Sequence, residues 1–160
     1  MLDVSPPEDK DLPFDERRPH PKHPRRRQQQ SDALDFVRRL MQADIERIAI
    51  ENPVSVISSK IRKPEQIVQP YHFGDEAQKT TCLWLKNLPK LKHTNVVGKG
   101  EMVVFDSGKS MPKWYVDALT KSKTPEERRT LRSKTFAGIA KAMATQWGAY
   151  LDGQEIYGSL

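Results

Sequence analysis

Residues 46–59 read "ERIAIENPVSVISS", and the reading of this stretch decides the fold. Ile48-Ala49-Ile50 is apolar at every position, which describes a buried strand covered on both faces. It stops at Glu51-Asn52-Pro53. Proline holds the residue before it in an extended conformation, so Asn52 leaves the strand in line and both polar side chains are aimed outward. In open α/β sheets, ligands bind beyond the carboxyl ends of the strands. A carboxylate on so rigid a support can protonate or hydrogen-bond a ring nitrogen, with the neighbouring amide fixing its orientation. The same Glu51 is equally suited to capping the next helical turn or to pairing with Lys60 or Arg62.

Upstream, Ser31 reads as an N-cap, and Ala33, Leu34, Val37, Leu40 and Met41 share a helical face up to about Ala43. A helix feeding a doubly covered strand predicts an α/β fold with a largely parallel sheet. Downstream, Val54 to Lys60 reads as a helical turn or loop, and Pro64 ends any continuation. Gln66 to Phe73 reads as a strand broken or placed at an edge by Pro70. Thr80 to Leu85 ("TTCLWL") is a stronger strand, and Met102 to Phe105 a short one before the turn at Asp106-Ser107-Gly108. Thr124-Pro125-Glu126-Glu127 begins a helix with a cap, a first-position proline and an early acid. A last helix is expected from Lys134 to Trp147, with Phe136, Ile139, Ala140, Met143 and Trp147 on one stripe, ended by Gly148.

The two ends differ from this middle. Residues 1–30 carry six prolines and few apolar side chains; their acids come first and their arginines last. Proline at that density blocks helices and sheet ladders, so the expectation is a disordered tail with a basic end. Residues 31–148 form the expected domain, and 149–160 a C-terminal tail.

At 160 residues there is room for one domain. A net charge of +6 favours a polyanionic partner, nucleic acid first, though excess surface lysine would give the same total. The single cysteine, Cys82, excludes an internal disulfide, fits a reducing compartment, and in mid-strand reads as a buried structural thiol. No segment is apolar enough for a membrane helix or a secretory leader, so the expected location is cytoplasmic. No metal site is expected. His20 and His23 are three apart, but Pro21 and Pro24 forbid the helix that would bring them together, while His72 and His93 are distant along the chain. The basic residues Lys60, Arg62, Lys63, Lys79, Lys86, Lys90 and Lys92 recur through the loops near Tyr71, Trp84 and Trp114. That mixture suits phosphate contacts with base stacking, and it equally suits a solvated face over an aromatic core.

The order of motifs carries further information. "IENP", "QPYHFG", "TCLWLKNLPKL" and "SKTFAGIAKAMA", with the residues between them from about 27 to 148, resemble a group of phage and bacterial DNA cytosine methyltransferases. The resemblance implies a partial Rossmann-like methyltransferase sheet flanked by helices, with S-adenosyl-L-methionine as cofactor and DNA as partner. It implies that Glu51 contacts the N3 edge of an extruded cytosine and that Asn52 braces its loop. Lys60, Arg62, Lys63 and Lys79 are the residues expected to meet DNA. The glycine-rich cofactor loop and the Pro-Cys nucleophile of that family are missing: Pro6-Pro7 is followed by Glu8. Gln78 is followed by Lys79, Thr80, Thr81 and Cys82 rather than by the family's arginines. The chain therefore resembles the C-terminal half of such an enzyme, expected to be inactive alone or to act with a separate chain supplying the rest. Two rivals stand beside it: a non-catalytic basic nucleic-acid-binding protein, and a truncated gene remnant.

Overall fold

The computed structural model describes residues 7–9, 11–12, 16–18, 20–133 and 135–153. Helix α1 spans Arg26–Gln42 and starts five residues before the expected Ser31 cap, which lies inside it. Pro24 is the last proline of the N-terminal run, and the arginines and glutamines after it are good helix formers. Gln28 reinforces the first turns by donating to Asp32 at 2.7 Å. The expected tail falls partly outside the described residues. Within them, Asp9 accepts from the backbone and guanidinium of Arg18 at 2.7 to 3.2 Å, which holds its carboxyl below the usual range.

Strand β1 (Ile48–Pro53) is followed by α2 (Ile57–Lys60), β2 (Gln66–Val68), a 3-10 turn (Pro70–His72) and β3 (Thr81–Lys86). The sheet order is β1-β3-β2, and both pairings are antiparallel: Ile50 faces Trp84, Glu51 faces Leu83, and Val68 faces Thr81. This corrects the expected parallel sheet. β1 and β2 do run in the same direction, joined through α2, but β3 returns between them. Only the short 3-10 turn, and no α-helix, lies between Val68 and Thr81 to carry the chain across the sheet, so a reversed strand results. The fully buried strand is accordingly β3, buried from Thr81 to Leu85, whereas β1 is an edge strand with Ala49 exposed.

The pleat sends alternate residues of β3 into two cores. On one face Cys82 and Trp84 pack with Ile57, Ile50 and the α1 residues Leu34, Val37 and Met41. On the other, Leu83 and Leu85 join Val68, Phe73, Leu91, Ile139 and Ala142. Each such side chain stabilises the fold by about 1.5–3 kcal/mol. Two polar groups inside show how the cores are held. The Trp84 indole N–H donates to the Arg62 carbonyl at 2.9 Å, and the Leu85 amide donates to Glu65 at 2.7 Å. The loop after β3 is fastened by two glutamines acting as peptide surrogates. Gln66 exchanges two 2.8 Å bonds with the Leu91 backbone, and Gln146 two with Lys92.

Strands β4 (Met102–Val104) and β5 (Ser110–Pro112) make an antiparallel hairpin whose turn places Gly108 at φ +77°. Helix α3 (Lys113–Thr120) was not anticipated; α4 (Pro125–Ser133) was, with Thr124 accepting from the Glu127 amide at 3.0 Å. Helix α5 (Ala137–Ala142) passes through a π turn at Met143–Trp147 into α6 (Gly148–Leu151). Gly148 therefore does not end the helix. Its φ is −58°, and Gly153 at φ +73° takes the left-handed position instead. Of the expected stripe, Ile139 is buried but Ala140 is exposed. Residues 154–160 of the expected C-terminal tail lie outside the described residues. Among the described residues, no helix is long and apolar enough to cross a membrane.

Candidate functional site

The carboxyl end of β1 opens onto a cleft of about 840 Å³. Pro53 and Val54 form one wall, and the strip Gln78-Lys79-Thr80 leading into β3 forms the floor. α3 contributes Trp114 and Tyr115, and α4 contributes Arg128, Arg129 and Arg132. The spacing of these arginines, i, i+1 and i+4, puts them on one flank of a helix. No carboxylate is among the residues lining the cleft, and Lys79 and the three arginines are its charged groups.

Several of these groups are already oriented. The Trp114 indole N–H donates to the Gln78 carbonyl at 3.0 Å, which ties α3 to the floor. The Arg132 guanidinium lies 4.7 Å from the centre of the Tyr115 ring, a cation–π distance. Arg128 donates to the Ser122 hydroxyl at 3.2 Å. The acids of α4 sit in its first turn, where Glu127 accepts from the Lys123 amide at 2.7 Å instead of entering the cleft. Cations held by neutral partners beside flat rings can bind phosphate and stack a base.

Glu51 is half-buried, on the same pleat of β1 as Pro53, but it lines neither this cleft nor the second cavity described below. Among the described residues its carboxylate has no side-chain hydrogen bond or ion pair. Its field is felt by Cys82, whose thiol is pushed up first by burial and then by Glu51. Asn52 points to the opposite face. Its amide donates to the Pro53 carbonyl at 3.0 Å and the Ser55 hydroxyl at 2.9 Å, so it braces the turn after β1.

The four expected DNA-binding residues separate. Lys79 is in the cleft. Arg62 is committed to the fold, ion-paired to Glu65 and donating to the Leu85 carbonyl at 3.4 Å. Lys60 and Lys63 are exposed near α2 and do not line the cleft. Trp84 is core, and Lys86 donates to the Ala43 carbonyl at the end of α1 at 3.1 Å. His72 and His93, distant in sequence, stack at 4.0 Å between ring centres. Among the described residues, no three histidine, cysteine or acidic side chains converge on one point.

Sequence reasoning missed Arg128, Arg129 and Arg132. The segment "PEERRTLRS" was read for its helix start, and its basic flank was the available signal. All glycines of the chain lie beyond residue 73, and among the described ones none follows a strand and opens a helix as a cofactor loop requires. The residues present therefore do not fit S-adenosyl-L-methionine. No family model, curated protein or solved structure matches the chain.

Proposed function

We propose that this chain binds DNA through the basic cleft, as the DNA-contacting half of a DNA cytosine methyltransferase-like protein that transfers no methyl group by itself. One observation carries the reading: Lys79, Arg128, Arg129 and Arg132 meet around about 840 Å³ beside Trp114 and Tyr115, with no acid in the lining. Phosphate contacts supply most non-specific affinity for DNA, and aromatic faces accept any base.

The methyltransferase part rests on the motif resemblance and on three supporting features. β1 and β2, on either side of the antiparallel β3, run in the same direction and are joined through α2, as the two strands of a β-α-β unit are. β1 is an edge strand, so a separate chain carrying the cofactor loop and the cysteine has an open ladder on which to add its strands. Glu51 is unpaired among the described residues, and Asn52 braces its loop, as the resemblance implies. Both halves would work in the cytoplasm, where cysteines remain reduced. The position of Glu51 outside the cleft favours a second reading, a DNA binder in which that carboxylate has no part.

The test is fluorescence anisotropy of the purified chain with labelled DNA over a range of salt. Affinity should fall as salt rises, and the triple variant R128A/R129A/R132A should flatten the log–log slope by about 2 to 3. Binding that is indifferent to salt, or a triple variant that binds like the parent, would overturn the proposal.

A further inference from the structure

Trp114 stands between two hollows. On one side is the basic cleft; on the other is a cavity of about 510 Å³ enclosed by α3, α4 and the start of α5. Ala118, Leu131, Phe136 and Ala137 make its walls apolar. Its polar groups include Asp117 and Lys121, paired with each other at 3.0 Å. The Trp114 and Phe136 rings meet edge-on at 5.4 Å and form a flat-sided corner.

We propose that this cavity receives an unpaired base of a single strand whose phosphates lie in the basic cleft. The inference rests on the nucleic-acid reading of that cleft and specifies its substrate class. A duplex turns its phosphates outward and keeps its bases stacked within, so it cannot fill a phosphate groove and an adjoining apolar hollow together. A single strand presents both surfaces side by side. The cavity volume falls in the range of about 300–1,000 Å³ typical of small-ligand sites, enough for a nucleobase. The walls suit the ring faces, and the Asp117–Lys121 pair offers an acceptor and a donor to a base edge, which carries both kinds of group.

The experiment compares a short mixed-sequence oligodeoxynucleotide with the duplex of the same sequence, at equal salt, on the full chain. The single strand should bind about tenfold more tightly. Ala137 is exposed at the rim, so Ala137→Phe fills the cavity without disturbing a core, a point circular dichroism would check. This variant, and Leu131→Trp from the opposite wall, should lose the single-strand preference and keep the parent's duplex affinity. Equal affinity for the two forms, or a preference that survives both fillings, would overturn the inference and leave the DNA-binding reading standing. Failure to bind either form would overturn both.

Discussion

A β-carbon added at Gly138 would lie 2.0 Å from the Phe73 carbonyl oxygen and 2.8 Å from the Asp75 carboxylate, so the first turn of α5 can meet the 3-10 turn only without a side chain. The Gly138 amide uses that proximity, donating to Asp75 at 2.7 Å. Replacing glycine by alanine inside a helix ordinarily stabilises by up to about 1 kcal/mol. Here the sign should reverse. Gly138→Ala is expected to destabilise by about 1–3 kcal/mol, the usual cost of overpacking, and a lowered midpoint in urea unfolding would register it. Gly100 is constrained in the same way, at φ +79° against the Glu76 carbonyl, so it serves packing. At this scale the sequence was legible for residues whose chemistry has one use, as Cys82 shows: it is a buried structural thiol. It was not legible for Arg62 and Lys79. Both are cations in loops, and only the neighbours decide that one is spent on Glu65 and the other faces a cleft.

Among the elements, helix α4 was the most readable because its signals are local: a hydroxyl cap, a proline and an acid within four residues. The segment from His93 to Val97 was the least readable, because it is held by the distant turn at Pro70–His72. Thr94 and Asn95 donate to the His72 carbonyl at 3.2 and 3.4 Å, Val97 donates to Tyr71 at 2.9 Å, and the two imidazoles stack. The His72 Nδ1 atom is buried without a hydrogen-bond partner among the described residues. Burial first, and then the charge of His93, lower its tendency to protonate. A histidine with a depressed folded pKa takes up protons more readily when unfolded, so it contributes stability in full above its ordinary value. That contribution is lost as pH falls through the folded value. Unfolding should therefore become easier as pH drops from about 7.5 to about 5. His72→Phe keeps a flat ring in the stack and should remove this part of the slope, as denaturant titrations at several pH values would reveal.

For the molecule as a whole, the basic cleft is assembled from parts that are remote in sequence: the end of β1, the approach to β3, the hairpin end and two helices. Glu51 belongs to the sheet and the arginines to α4, so a carboxylate at position 51 and DNA affinity are expected to be independent. Glu51→Gln should leave the dissociation constant and its salt dependence unchanged in the isolated chain; anisotropy titrations on the two proteins compare them directly. A marked loss of affinity in that variant would put Glu51 at the DNA and strengthen the base-contacting role that the methyltransferase resemblance assigns to it.

What the sequence determined alone is what depends on neighbouring residues. It specified the mixed α/β character, the strand at "TCLWL", the break at Pro70, the cap of α4 and the net positive charge. Those follow from side-chain periodicity, proline geometry and charge, all of which act over a few residues. The tertiary structure decided the direction of β3, the edge position of β1, the stacking of His72 on His93, and which cations line the cleft. Those depend on loop closure and on packing between segments dozens of residues apart, where no local pattern says which partner a strand, a ring or a guanidinium will meet.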